Sequence, residues 1–66
     1  MKPYDLVQVR PEYRDTHCPL PWHERFVFLG EINQMPGHGI FAVLGTGKIW
    51  CGFHTDQFMV VREEDL

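Results

Sequence analysis

The sequence predicts one all-β domain built from five short strands. The chain has 66 residues, which is enough for a single domain over residues 1–66. Short apolar runs alternate with turn residues, and no segment shows the 3.6-residue apolar period of a helix. A chain of this size buries only about 60% of the surface that it exposes when unfolded, so we expect modest stability.

The first predicted strand spans residues 5–10, with Val7 and Val9 facing the interior. Pro11 ends it, because proline has no N–H to donate to a strand ladder. A long loop follows over residues 11–24. In a small domain such a loop is usually functional or packs against the rest of the fold.

The second predicted strand, residues 25–32, is apolar on both faces. One face carries Phe26, Phe28 and Ile32, and the other carries Val27 and Leu29. Both faces should therefore be covered, either by the long loop or by another chain. Gly30 predicts a bend or bulge in this strand.

The second half of the chain predicts two hairpins and a short closing strand. Its predicted segments are a turn at 33–38, a strand at 39–44, a tight connection at 45–47, a strand at 48–53, one 3₁₀ turn at 54–58 and a last strand at 59–62. In the fourth strand, we expect Ile49, Cys51 and Phe53 to face the core and Trp50 to face away from it.

The order of these segments resembles that of the SH3-like small barrels. The stretch from Gly52 to Val60 is similar to the glycine–apolar–turn–aromatic–valine pattern that ends SH3 domains. It is one residue longer than the pattern of signalling SH3 domains and has His54 where they have proline. The resemblance implies a five-stranded SH3-like barrel with a long first loop and a 3₁₀ turn before the last strand. It implies no particular ligand, because a shared fold does not fix function.

The charge of the chain disfavours binding to nucleic acid. Nine acidic and six basic residues give a formal net charge of −3, whereas affinity for phosphates requires clustered Lys and Arg. The aromatic residues, together with Arg10, Arg14 and Arg25, keep a nucleic-acid-binding domain as the alternative function.

The sequence predicts a cytoplasmic protein without a membrane segment. No apolar run approaches the roughly 20 residues of a membrane-spanning helix, and no basic-then-apolar leader is visible. Two cysteines without a leader indicate a reducing compartment and free thiols. A disulfide between Cys18 and Cys51 is the alternative interpretation.

The pair Cys51-x-x-His54 has the spacing of metal ligands. His17, Cys18 and His23 could complete a tetrahedral set, so a small zinc-binding domain is a lesser alternative. A mid-strand cysteine is more often a small core hydrophobe, and we therefore expect no metal and no cofactor. A cysteine–histidine pair could also form a nucleophile and its base, but no third orienting group is evident and the chain is too small to enclose a substrate. We therefore predict no catalytic activity.

The function that the sequence favours is protein–protein interaction. Exposed aromatic side chains form binding hot spots, and the predicted contact residues are Tyr13, Trp22, Trp50, His54 and Phe58. In the alternative interpretation, Trp22 packs over the second face of the sheet. The strand over residues 26–32, apolar on both faces, also suggests weak self-association.

Overall fold

A computed structural model describes residues 1–14 and 19–62. It contains five strands and two 3₁₀ turns. The strands are β1 (Leu6–Val9), β2 (Phe26–Ile32), β3 (Met35–Val43), β4 (Ile49–His54) and β5 (Phe58–Val60), and the 3₁₀ turns span Pro11–Tyr13 and Thr55–Gln57. The all-β class is confirmed, as is the 3₁₀ turn before the last strand. The described residues include no helix long and apolar enough to cross a bilayer.

All five strands belong to one antiparallel sheet with the order β4-β3-β2-β1-β5. This order makes β4 and β5 the two edges. Hydrogen bonding within the described part of the chain leaves the sheet open, so the barrel closure expected from the sequence is not established by strand pairing. The strands nevertheless enclose one apolar core on the concave side of the sheet.

The inner face of the sheet follows from the strand register, because residues directly opposite one another point to the same side. Phe26 pairs with Val7 on one side and Val43 on the other. Phe41 pairs with Phe28 and Trp50 in the next row. The expected inward direction of Val7 and Val9 is confirmed, and Phe26 and Phe28 share the buried face of β2, as their spacing predicts. The core residues are Val7, Val9, Leu20, Phe26, Phe28, Phe41, Val43 and Phe58.

The long loop contributes to this core through Leu20, which is buried although it lies outside the strands. The start of the loop is fixed by Arg14, whose Nε donates a hydrogen bond of 2.8 Å to the Val9 carbonyl oxygen. Arg14 and Leu20 thus attach the loop to the sheet, in agreement with the expectation for a loop of this length, whereas Tyr13, Trp22 and His23 are exposed.

The prediction for the faces of β4 was wrong for Ile49, Cys51 and Trp50 and right for Phe53. Ile49 and Cys51 are exposed, whereas Trp50 and Phe53 pack against the core. A bulge explains the change: Gly39 pairs with Phe53, but its neighbour Ile40 pairs with Cys51. Gly52 is the extra residue, and its φ of 86° is one that glycine adopts without steric cost. Beyond the bulge the alternation of β4 shifts by one residue, which turns Phe53 inward.

The turn predicted at residues 33–38 is also corrected. Only Asn33 and Gln34 form the turn, and β3 already begins at Met35, which pairs with Ile32. The ladder is irregular between that pair and the next pair, Glu31 with Gly39. Residues 36–38 therefore bulge away from β2, and this is a location where a strand tolerates the missing N–H of proline. The irregularity expected at Gly30 is confirmed by the register shift that follows Phe28.

Candidate functional site

The outer face of the sheet carries an apolar row across four strands. Leu6 pairs with Val27, Val27 with Ala42, and Ala42 with Ile49. Opposed residues share a face, so the four side chains lie side by side on the convex surface. A second row joins Ile40 to Cys51. We call this surface the outer face; its residues are Leu6, Val27, Ile40, Ala42, Ile49 and Cys51.

Exposure on the outer face increases towards β4. Leu6, Val27, Ile40 and Ala42 are partly buried, whereas Cys51 is exposed and Ile49 retains 54% of its accessible surface. None of the six residues of the outer face carries a charge. A contiguous apolar surface on a small protein typically marks an interaction site.

The edge strand β4 lacks most of the features that keep sheet edges from pairing. Edge strands of monomeric proteins are commonly short or carry Lys, Pro or inward-pointing charges. β4 is six residues long, with the sequence Ile-Trp-Cys-Gly-Phe-His, and contains neither proline nor a residue with a permanent charge. The bulge at Gly52 is its one protective feature. The opposite edge, β5, has only three residues.

A shallow cleft of about 420 Å³ lies between the long loop and the end of the β3–β4 hairpin. Leu20, Pro21, Val43 and Trp50 form its apolar part, with Glu24 and Lys48 among the residues at its polar rim. The Lys48 ammonium lies 4.7 Å from the centre of the Trp50 ring, a distance suited to a cation–π contact. The indole N–H of Trp50 is buried, and no described residue accepts a hydrogen bond from it.

The five predicted contact residues differ in how far they are exposed. Tyr13 and Trp22 are moderately exposed, at 41% and 38%, and the Trp22 ring packs edge-on against His23. Trp50 is half-buried beside the core, and His54 is exposed at the far end of β4. Phe58 is only 1% exposed, so its ring belongs to the core and is unavailable to a partner. The participation of Tyr13, Trp22, Trp50 and His54 in binding stays a prediction.

The metal-ligand set considered as a lesser alternative is not assembled among the described residues. Those residues contain no group of three or more His, Cys, Asp or Glu side chains placed to hold a metal ion. Cys51 is a free, exposed cysteine, which contradicts its expected core position. His17 and Cys18 lie outside the described residues. His54 instead faces His38, its partner on β3.

The three arginines named for nucleic-acid binding differ in their surroundings. Arg10 is exposed, Arg14 bonds to the Val9 carbonyl, and Arg25 is partly buried. Such an arrangement offers little of the continuous basic surface that phosphate binding requires.

Sequence reasoning identified only part of the outer face. The apolar second face of β2 was recognised from Val27 and Leu29. The signal for Leu6, Ile40 and Ala42 was also present, since each follows the two-residue alternation of its strand. Ile49 and Cys51 were assigned to the wrong side because the bulge at Gly52 was not anticipated.

No protein-family model matches this chain, and searches of curated proteins and of solved structures likewise find no match.

Proposed function

We propose that this chain is a small protein–protein interaction module of SH3-like architecture, without catalytic activity of its own. The fold part of the proposal is supported by the strand order β4-β3-β2-β1-β5 and by the 3₁₀ turn between β4 and β5. Both are arrangements that the SH3-like barrel uses. The long loop between β1 and β2 also agrees with that architecture.

The observation that carries the functional part is the apolar row Leu6–Val27–Ala42–Ile49, which ends at the exposed edge strand β4. Burial of apolar surface is the main driving force of protein association. A partner that covered Ile49 and Cys51 would remove this surface from water. The unpaired side of β4 would at the same time offer backbone donors and acceptors to an added strand, as in β-augmentation.

None of the residues of the outer face is charged, so a charge-reversal variant cannot test this surface. A variant that adds a charge can. Ile49→Lys places a lysine on the outer face and on the edge strand, where natural proteins use lysine to prevent pairing. Leu44→Lys is the matched control, since Leu44 is 60% exposed in the β3–β4 turn, off the edge strand β4 and beyond the paired rows that define the outer face.

The self-association predicted from the sequence is tested with the same two variants. Light scattering over a range of concentrations would show whether the wild-type chain forms dimers and whether Ile49→Lys alone abolishes them. That result would identify a second copy of the chain as the partner. A monomeric wild-type chain would direct the search to a different protein.

The contact residues can be mapped by cross-linking from Cys51 itself. In a Cys18→Ser background, a photoreactive maleimide attached to Cys51 should form a covalent adduct with the partner. The matched control carries Cys51→Ser and Leu44→Cys and presents the same group from the hairpin turn. Equal cross-linking from both positions would contradict binding through the outer face.

A further inference from the structure

The strongest unexplained cluster is the histidine pair at the end of the β3–β4 ladder. His38 and His54 are cross-strand partners, and their ring centres lie 3.9 Å apart with the planes tilted by 41°. The two side chains continue the outer surface of β3 and β4 beyond the row that joins Ile40 to Cys51. The apolar contacts of the proposed binding surface do not require either imidazole.

The hydrogen bond of His38 sets which of its nitrogens carries the proton. Its Nδ1 lies 3.3 Å from the carbonyl oxygen of Pro36. A carbonyl oxygen can only accept, so Nδ1 donates and the lone pair of the neutral ring is on Nε2. In a metal-binding histidine, the nitrogen that does not bind the metal usually donates its N–H to an acceptor such as a backbone carbonyl. This hydrogen bond fixes the orientation and the tautomer of the ring.

His54 lies beside the same stretch of β3. Its Nδ1 is 4.0 Å from the position that a Cβ on Gly37 would take. In both imidazoles Nε2 is the nitrogen farther from the residue's own main chain, and His54 is exposed while His38 is partly buried. Nε2 is therefore the nitrogen that each ring offers to a metal ion. Thr55 supports the arrangement, since its hydroxyl donates to the Gly37 carbonyl oxygen at 3.4 Å.

We propose that His38 and His54 form a two-histidine site for a late first-row divalent metal ion such as Zn²⁺, bound through the two Nε2 atoms. Neutral imidazole is a preferred ligand of zinc, copper and nickel. Bond lengths of about 2.0–2.1 Å require the two rings to open slightly from their stacked contact. Water fills the remaining positions, because the described residues contribute no third ligand. The site therefore exchanges its metal readily, and it does not depend on the proposed protein-binding function.

The test is titration of the purified chain with zinc chloride, followed by calorimetry and by the ¹⁵N signals of the imidazoles. The wild-type chain should bind one ion, with the Nε2 signals of both histidines shifted. His38→Ala and His54→Ala should each weaken binding by about tenfold or more. His23→Ala is the control, because His23 is an exposed histidine in the long loop, and it should bind like the wild type.

A Cys51→Ser variant separates this site from the Cys51-x-x-His54 motif. If the histidine pair is the site, Cys51→Ser binds zinc as the wild type does. Four results would overturn the proposal: no binding by the wild type, full binding by His38→Ala, loss of binding in Cys51→Ser, or loss in His23→Ala. Each variant is compared with the wild type for its unfolding temperature without metal, so that binding is measured only on folded protein.

Discussion

The rings of Phe41 and Phe58 stack with their centres 3.8 Å apart and their planes within 15°, although β2 and β1 separate their strands in the sheet. This contact is only possible because the sheet curls until β3 and β5 face each other across the core. Phe26 packs edge-on against the same Phe58 ring, with 5.4 Å between centres. Phe58 therefore links three strands, and the curvature that exposes the convex outer face depends on it.

Replacement of Phe58 by alanine should destabilise the domain severely. Phe→Ala in a core costs about 3–5 kcal/mol, and a domain of this size has roughly 3–10 kcal/mol in total. Phe58→Ala should be largely unfolded at room temperature, as measured by urea denaturation followed by circular dichroism. Val60→Ala is the control, since Val60 is partly exposed on the same strand, and it should cost about 1 kcal/mol or less. Similar losses for both variants would contradict the central position of Phe58.

Gly39 should not tolerate a side chain. A Cβ at this position would lie 2.6 Å from Cε1 of Phe28 and 3.2 Å from Cζ of Phe41. Gly39→Ala must displace both rings and should cost about 1–3 kcal/mol. The matched control is Gly45→Ala in the hairpin turn, where the nearest atom to the new Cβ is 3.9 Å away. Thermal unfolding of the two variants tests this, and equal unfolding temperatures would refute the close packing described at Gly39.

The indole nitrogen of Trp50 should contribute nothing to stability. It is buried and has no hydrogen-bond partner in residues 1–14 and 19–62, so its removal forfeits no bond there and relieves an unsatisfied donor. Trp50→Phe keeps an aromatic ring against the core and should change the free energy of unfolding by about 1 kcal/mol or less, whereas Trp50→Ala should cost about 3 kcal/mol. Equally large losses in both variants would show that the indole N–H is bonded in solution.

The sequence predicted most of the fold because local signals were consistent. Alternation placed Val7 and Val9 of β1 in the core and grouped Phe26 with Phe28 on one face of β2, and turn residues located the β3–β4 hairpin. Assignment failed where a bulge changed the alternation. The extra residue Gly52 puts Phe53 on the opposite face of β4 from Cys51. This change of face depends on how β4 pairs with β3, and no residue of β4 alone indicates it.

The candidate site was harder to predict than the fold. Because β2 is apolar on both faces, its second face was expected to be covered. The apolar row that extends from Val27 onto the neighbouring strands depends, however, on the register of four strands. The position of Phe58 shows the same limit. Its neighbours in sequence are those of an exposed 3₁₀ turn, and only the curl of the sheet brings its ring against Phe41.

The most direct measurement of the central claim is affinity capture from the native host with the wild-type chain, Ile49→Lys and Leu44→Lys, followed by quantitative mass spectrometry. The two variants carry the same added charge, and both sites are exposed. Binding through the outer face predicts a partner that is retained by the wild type and by Leu44→Lys and is depleted about tenfold or more by Ile49→Lys, a loss of about 1.4 kcal/mol or more. Equal recovery of every captured protein by all three chains would contradict the assignment of the outer face as the binding surface.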